Sequence, residues 1–168
     1  MTRQIVTEII SADAFAPFGD LIEASGPPDK IINQGQCGRF HDRARLDFSD
    51  GRAGLSLFNA NPRSLPYTLE MVERHPDGSQ AFIPMTHQPF LVVVAADNAG
   101  EPGVPRAFIT KPGQMVNYHR GTWHGVLTPL HGPGLFAVVD RIGTGSNLEE
   151  HWFDTPYEVV PKPNEAAG

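Results

Sequence analysis

Cysteine is almost missing from this chain. Cys37 is the only one in 168 residues, so no internal disulfide is available. Basic charge is scarce too: 13 Lys and Arg face 19 Asp and Glu, for a formal charge of -6. No basic cluster offsets that balance, which argues against a nucleic-acid binder. No apolar run approaches the ~18 residues needed to cross a bilayer. The opening "MTRQIVTEII" has no apolar signal core followed by a cleavage site. Internal repeats and linkers are absent. The expectation is a single soluble, cytoplasmic domain over residues 1–168, ending in a polar tail from about residue 161.

What the chain does have is punctuation. Seventeen glycines and 16 prolines are spread between short apolar runs rather than gathered in one block, and frequent turns favour strands. "RQIVTEI" (3–9) reads as an edge strand, and Ser11 caps a short helix through Phe15. "DLIEA" (20–24) and "AGLSLFNA" (53–60) read as strands. In "YTLEMVERHPDGSQAFIPM" (67–85), "PDG" predicts a hairpin turn between two strands. "PFLVVVAA" (89–96) is continuously apolar, as expected of a strand buried on both faces. "PRAFIT", "QMVNYH", "HGVLTPL" and "GLFAVVDR" follow at close intervals. Short strands separated by turn signals predict an all-β sandwich or barrel with a short amino-terminal helix.

Histidines suggest where the chemistry lies. In "VNYHRGTWHG" (116–125), His119 and His124 are five apart, so on one uninterrupted strand they face opposite ways. They converge only if the chain turns at Arg120-Gly121-Thr122. In "ERHPDGSQ", Glu73 and His75 are two apart and share a strand face, and the predicted hairpin returns Gln80 beside His75. Glu73, His75, Gln80 and His124 would then meet inside the barrel, a donor set suited to one divalent ion such as Ni, Mn or Zn. By themselves an E-x-H pair and a histidine beside Trp123 are more often a solvated strand end and a hydrogen-bonded interior ring. Cys37 has no basic partner that would make it a nucleophile. "GTGS" (143–146) lacks the spacing of a phosphate loop and reads as a turn. His87, His131 and His151 read as surface residues.

This layout resembles the cupin double-stranded β-helix, whose first motif is H-x-H-(x3–4)-E and whose second supplies another His after a glycine turn. Here Glu73 stands at the first His and Gln80 at the Glu. A narrower resemblance rests on "NQGQCGRFHD" (33–42), "ERHPDGSQAFIPM" (73–85), "RAFIT" (106–110), "VNYHRGTWH" (116–124) and "VVDR" (138–141). Together, in this order, they resemble the ureidoglycolate lyase family of allantoin degradation. The resemblance implies a homodimeric cupin enzyme that splits (S)-ureidoglycolate into glyoxylate and urea.

That reaction needs a base for the hydroxyl proton as C=O forms, and an acid or electrophile for the departing urea. His75, His119, His124 and Tyr118 are the catalytic candidates. A cation must hold the substrate carboxylate, which arginine does bidentately; Arg39, Arg120 and Arg141 are the candidates, with Asn33 beside them. Two other readings of the pattern remain: another metal-dependent cupin enzyme, a dioxygenase or sugar epimerase, or a non-enzymatic small-molecule-binding cupin.

Overall fold

The computed structural model describes residues 3–163. In chain order the elements are β1 (Arg3–Ile9), α1 (Ala12–Phe15), β2 (Gly19–Ile22), β3 (Lys30–Ile32), β4 (Cys37–Arg39) and β5 (Arg52–Ala60). Then come β6 (Tyr67–Arg74), β7 (Gln80–Pro84), β8 (Phe90–Ala95), β9 (Asp97–Asn98), β10 (Glu101–Pro102) and β11 (Arg106–Ile109). The last are β12 (Met115–Tyr118), β13 (Trp123–His124), β14 (Thr128–Pro129), β15 (Gly134–Ile142) and β16 (Glu149–Val160). The chain is all-β with one short helix, a cupin-type barrel as expected. Ser11 caps that helix, its hydroxyl accepting from the Ala14 N–H at 3.2 Å.

Hydrogen bonding runs β11-β1-β16-β6-β13-β8 and returns from β8 to β11, a closed circuit of six strands. Its interior is apolar, with Ile5, Leu69, Val72, Val93, Trp123 and Val159 all buried. A second sheet, β2-β12-β7-β15-β5, packs across β8 and β11. Between them lies a second core that includes Phe15, Phe82, Phe90, Val94, Phe108, Tyr118 and Phe136. This accounts for β8: facing a core on each side, all its residues are buried. The far face of the five-stranded sheet carries exposed apolar residues, with Leu55 73%, Leu57 67% and Met85 56% exposed. Among the described residues no helix is long and apolar enough to cross a membrane.

Three strand readings need correction. Residues 3–9 form no edge: β1 lies between β11 and β16, parallel to both. Residues 67–85 form no hairpin. Both sides of β6 are taken, by β13 and β16, so β7 pairs instead with β12 and β15 in the other sheet. "PDG" therefore carries the chain from one sheet to the other. Its glycine serves close approach, since a Cβ on Gly78 would sit 2.8 Å from the Arg141 Cβ. Finally, Glu149–Val160 is a long strand that sequence pattern did not reveal. Of the expected polar tail, Pro161–Pro163 follow the last strand without joining a sheet, and residues 164–168 lie outside the described residues.

Candidate active site

The end of β6 presents Glu73, and His75 follows just past it. Across the ladder, His124 of β13 is the register partner of Glu73. The turn before it forms where expected: Gly121 has φ +78°, and its N–H donates to the His75 carbonyl at 2.9 Å. One ligating atom from each of Glu73, His75 and His124 lies within 4.8 Å of the other two. His75 Nε2 is 3.9 Å from Glu73 Oε1, and the two imidazole centroids are 5.2 Å apart.

Backbone carbonyls decide which ring nitrogens are free. His75 Nδ1 is 2.7 Å from the Asn147 carbonyl, and His124 Nδ1 is 2.9 Å from the Gly125 carbonyl. A carbonyl only accepts, so each Nδ1 carries the hydrogen, and in the neutral ring Nε2 keeps its lone pair. Both Nε2 atoms are buried without a hydrogen-bond partner, and so is Gln80 Oε1. Buried acceptors rarely go unpaired. The two imidazoles beside the half-buried Glu73 carboxylate suit a divalent ion, and imidazoles anchored through Nδ1 are the usual form of such ligands. The donors fit a metal.

The surroundings tune these groups. Burial lowers the His124 pKa to about 3, with the nearby His75 adding to the effect and the Gly125 bond opposing it. Burial raises the Glu73 carboxyl; His75 pulls against this and Glu150 adds to it. The Tyr118 ring stacks on His124 at 4.2 Å, 2° from parallel. Its phenol is pushed up, first by burial and then by Glu73, and stays protonated. Gln80 is the register partner of Tyr118, so it faces the same interior, and its amide donates to Asp140 at 3.2 Å. It reaches that position from β7, not as a cross-strand neighbour of His75.

The remaining sequence candidates lie elsewhere. His119 pairs with Asp20 at 3.1 Å and lines a separate cleft of about 210 Å³ with Arg45, Asp47 and Arg120. Burial pushes the Asp20 carboxyl up, but hydrogen bonds from Asn117, the Arg45 backbone and His119 outweigh it and hold it low. Arg120 is 3.4 Å from Asp47. Arg141 is buried, bound to Asp50 and donating to the Thr144 carbonyl at 2.9 Å. Arg39 and Asn33 sit on the exposed β3–β4 hairpin, Asn33 in its turn with φ 52°. Of the three outlying histidines, His87 and His131 are exposed; His151 is half-buried and paired with Glu101 at 2.7 Å.

A cleft of about 290 Å³ opens on Glu73, lined also by Arg63, Tyr67, Glu70, Val126 and Glu150. Sequence reasoning missed Arg63, Glu150 and Asn147. No motif marks them; Asn147 simply follows the "GTGS" bend that delivers its carbonyl to His75.

A family model described as ureidoglycolate lyase matches residues 2–160. Similar proteins include a ureidoglycolate lyase of Rhodobacter capsulatus, 58% identical over 158 residues, covering 94% of this chain and 98% of the relative. A ureidoglycolate lyase 2 of Rhizobium meliloti is 55% identical over 152 residues, 89% of this chain and 93% of the relative. A ureidoglycolate lyase of Pseudomonas syringae is 44% identical over 169 residues, 99% of each chain.

Proposed function

The chain belongs to the ureidoglycolate lyase family, and from that premise we propose that it cleaves (S)-ureidoglycolate to glyoxylate and urea in allantoin and purine catabolism. The observation that carries the proposal is the trio Glu73, His75 and His124: two buried, unpartnered Nε2 atoms beside a carboxylate that lines an open cleft.

The substrate carbon bears a carboxylate, a hydroxyl and a ureido nitrogen. In the reaction the hydroxyl O–H breaks and its electrons form C=O. The carbon–nitrogen bond breaks, and the nitrogen takes a proton to leave as urea. Elimination of this kind needs no acyl-forming nucleophile. Glu73, His75, His124 and Gln80 would hold a divalent ion, which when bound supplies a Lewis acid that acidifies the hydroxyl. Without an ion, the Nε2 lone pair of His75 is the base for that proton, since burial holds His124 at a pKa of about 3. Tyr118, still protonated, holds the His124 ring face to face and offers its O–H to the nitrogen side. His119, turned toward Asp20, orients the loop that leads into His124.

The same proposal makes the enzyme a cytoplasmic homodimer. A lone cysteine suits a reducing compartment, and the apolar outer face of the five-stranded sheet suits a second copy.

The test is a product assay with purified protein and (S)-ureidoglycolate. We expect glyoxylate and urea in equal amounts, with ammonia appearing only after urease is added. Ammonia as the first nitrogen product would mean hydrolysis of the ureido carbonyl and overturn the elimination.

A further inference from the structure

We propose that Arg63 receives the substrate carboxylate, an assignment that rests on the lyase reading above. The cleft that opens on Glu73 contains three carboxylates, Glu70, Glu73 and Glu150, and one cation, Arg63. A small anion entering such a cleft is repelled unless a fixed positive charge meets it.

Among the described residues Arg63 has no carboxylate within ion-pair distance, although two glutamates besides Glu73 line the same cleft. Its guanidinium lies 5.4 Å from the centroid of the Tyr67 ring, and Nη1 donates to the Tyr67 hydroxyl at 3.4 Å. A neutral phenol orients the guanidinium without neutralising it. The backbone is held as well, the Arg63 N–H donating to the Pro129 carbonyl at 2.8 Å.

Other arginines are already paired: Arg74 with Asp97 and Glu149, Arg106 with Glu8, Arg120 with Asp47, Arg141 with Asp50. Arg63 combines a guanidinium that has no carboxylate partner among the described residues with a place in the cleft that Glu73 lines. A substrate whose hydroxyl carbon lies beside Glu73 would then offer its carboxylate to that guanidinium.

Steady-state kinetics with (S)-ureidoglycolate and calorimetry with glyoxylate test this. Arg63→Ala should raise KM roughly ten- to hundredfold, the value of a charge-assisted hydrogen bond, with kcat nearly unchanged. Arg63→Lys should recover part of the loss, because it keeps the charge and loses the fork. Glyoxylate binding should weaken in parallel. Arg43→Ala, on another surface, should match the wild type. The side chain is exposed, so the variants should melt with the wild type.

An unchanged KM in Arg63→Ala, or a rise confined to Arg39→Ala or Arg120→Ala, would overturn the assignment. If the wild-type chain leaves ureidoglycolate intact, the lyase reading fails separately. Glyoxylate binding then still decides Arg63: a loss in Arg63→Ala supports it, while equal binding or none refutes it.

Discussion

Replacing His124 with glutamine should change how stability depends on pH, and the sign follows from burial. In the folded chain His124 has a pKa of about 3 against 6.5 for an ordinary histidine. Below pH 6.5 the unfolded chain takes up this proton and the folded chain does not. The stability carried by the neutral ring is therefore complete above 6.5 and is lost as pH falls toward 3. At about 1.4 kcal/mol per pH unit, the loss reaches about 3 kcal/mol by about pH 4.5. Glutamine keeps a polar side chain that does not titrate. Glu73 works in the opposite sense: its raised folded pKa makes protonation favour the fold as pH drops. It is present in both chains, so it largely drops out of their difference. Urea unfolding of chelator-treated protein, followed by tryptophan fluorescence near pH 7 and near pH 4.5, gives that difference directly. The wild type should lose about 3 kcal/mol more than His124→Gln between the two. Equal losses would show that His124 is not held neutral by burial.

Two further outcomes are expected. His75→Ala should lower kcat by roughly 10²- to 10⁴-fold, the usual worth of a positioned acid–base group; full turnover in this variant would remove His75 from the reaction. Leu57→Asp puts a charge on the exposed apolar face and should convert the proposed dimer to monomer in sedimentation at micromolar concentration. A wild type that sediments only as monomer would refute the self-association.

The readings that succeeded depended on local pattern. Ser11 needs only the next turn of chain to cap α1, and the apolar run at 89–96 needs only its own composition to read as doubly buried. Glu73 and His75 do lie close together, although His75 stands just past the end of β6. The readings that failed concerned partners. Nothing in "ERHPDGSQ" reveals that β13 and β16 already occupy both sides of β6, so the turn looked like a hairpin. β16 was hidden by its register shift between Trp152 and Tyr157, which breaks the alternation, and by the charges and proline around it. Arg63 sits in a proline-flanked loop that reads as surface; only the assembled barrel brings it into one cleft with Glu73.

The closed circuit has a seam, and the seam joins the first described strand to the last. Arg3 is the register partner of Tyr157, 154 positions away. A ribosome delivers the first strand long before the last. Until β16 emerges, β1 and β6 each have an open edge, and open edges invite pairing with other chains. Neither side can be satisfied early by the strand next to it in sequence. Shutting the ring is therefore a late, long-range event in the life of each new chain, of the kind that slows folding. Glu73 stands on the strand that waits for this closure, so the candidate site sets only after β16 has been made.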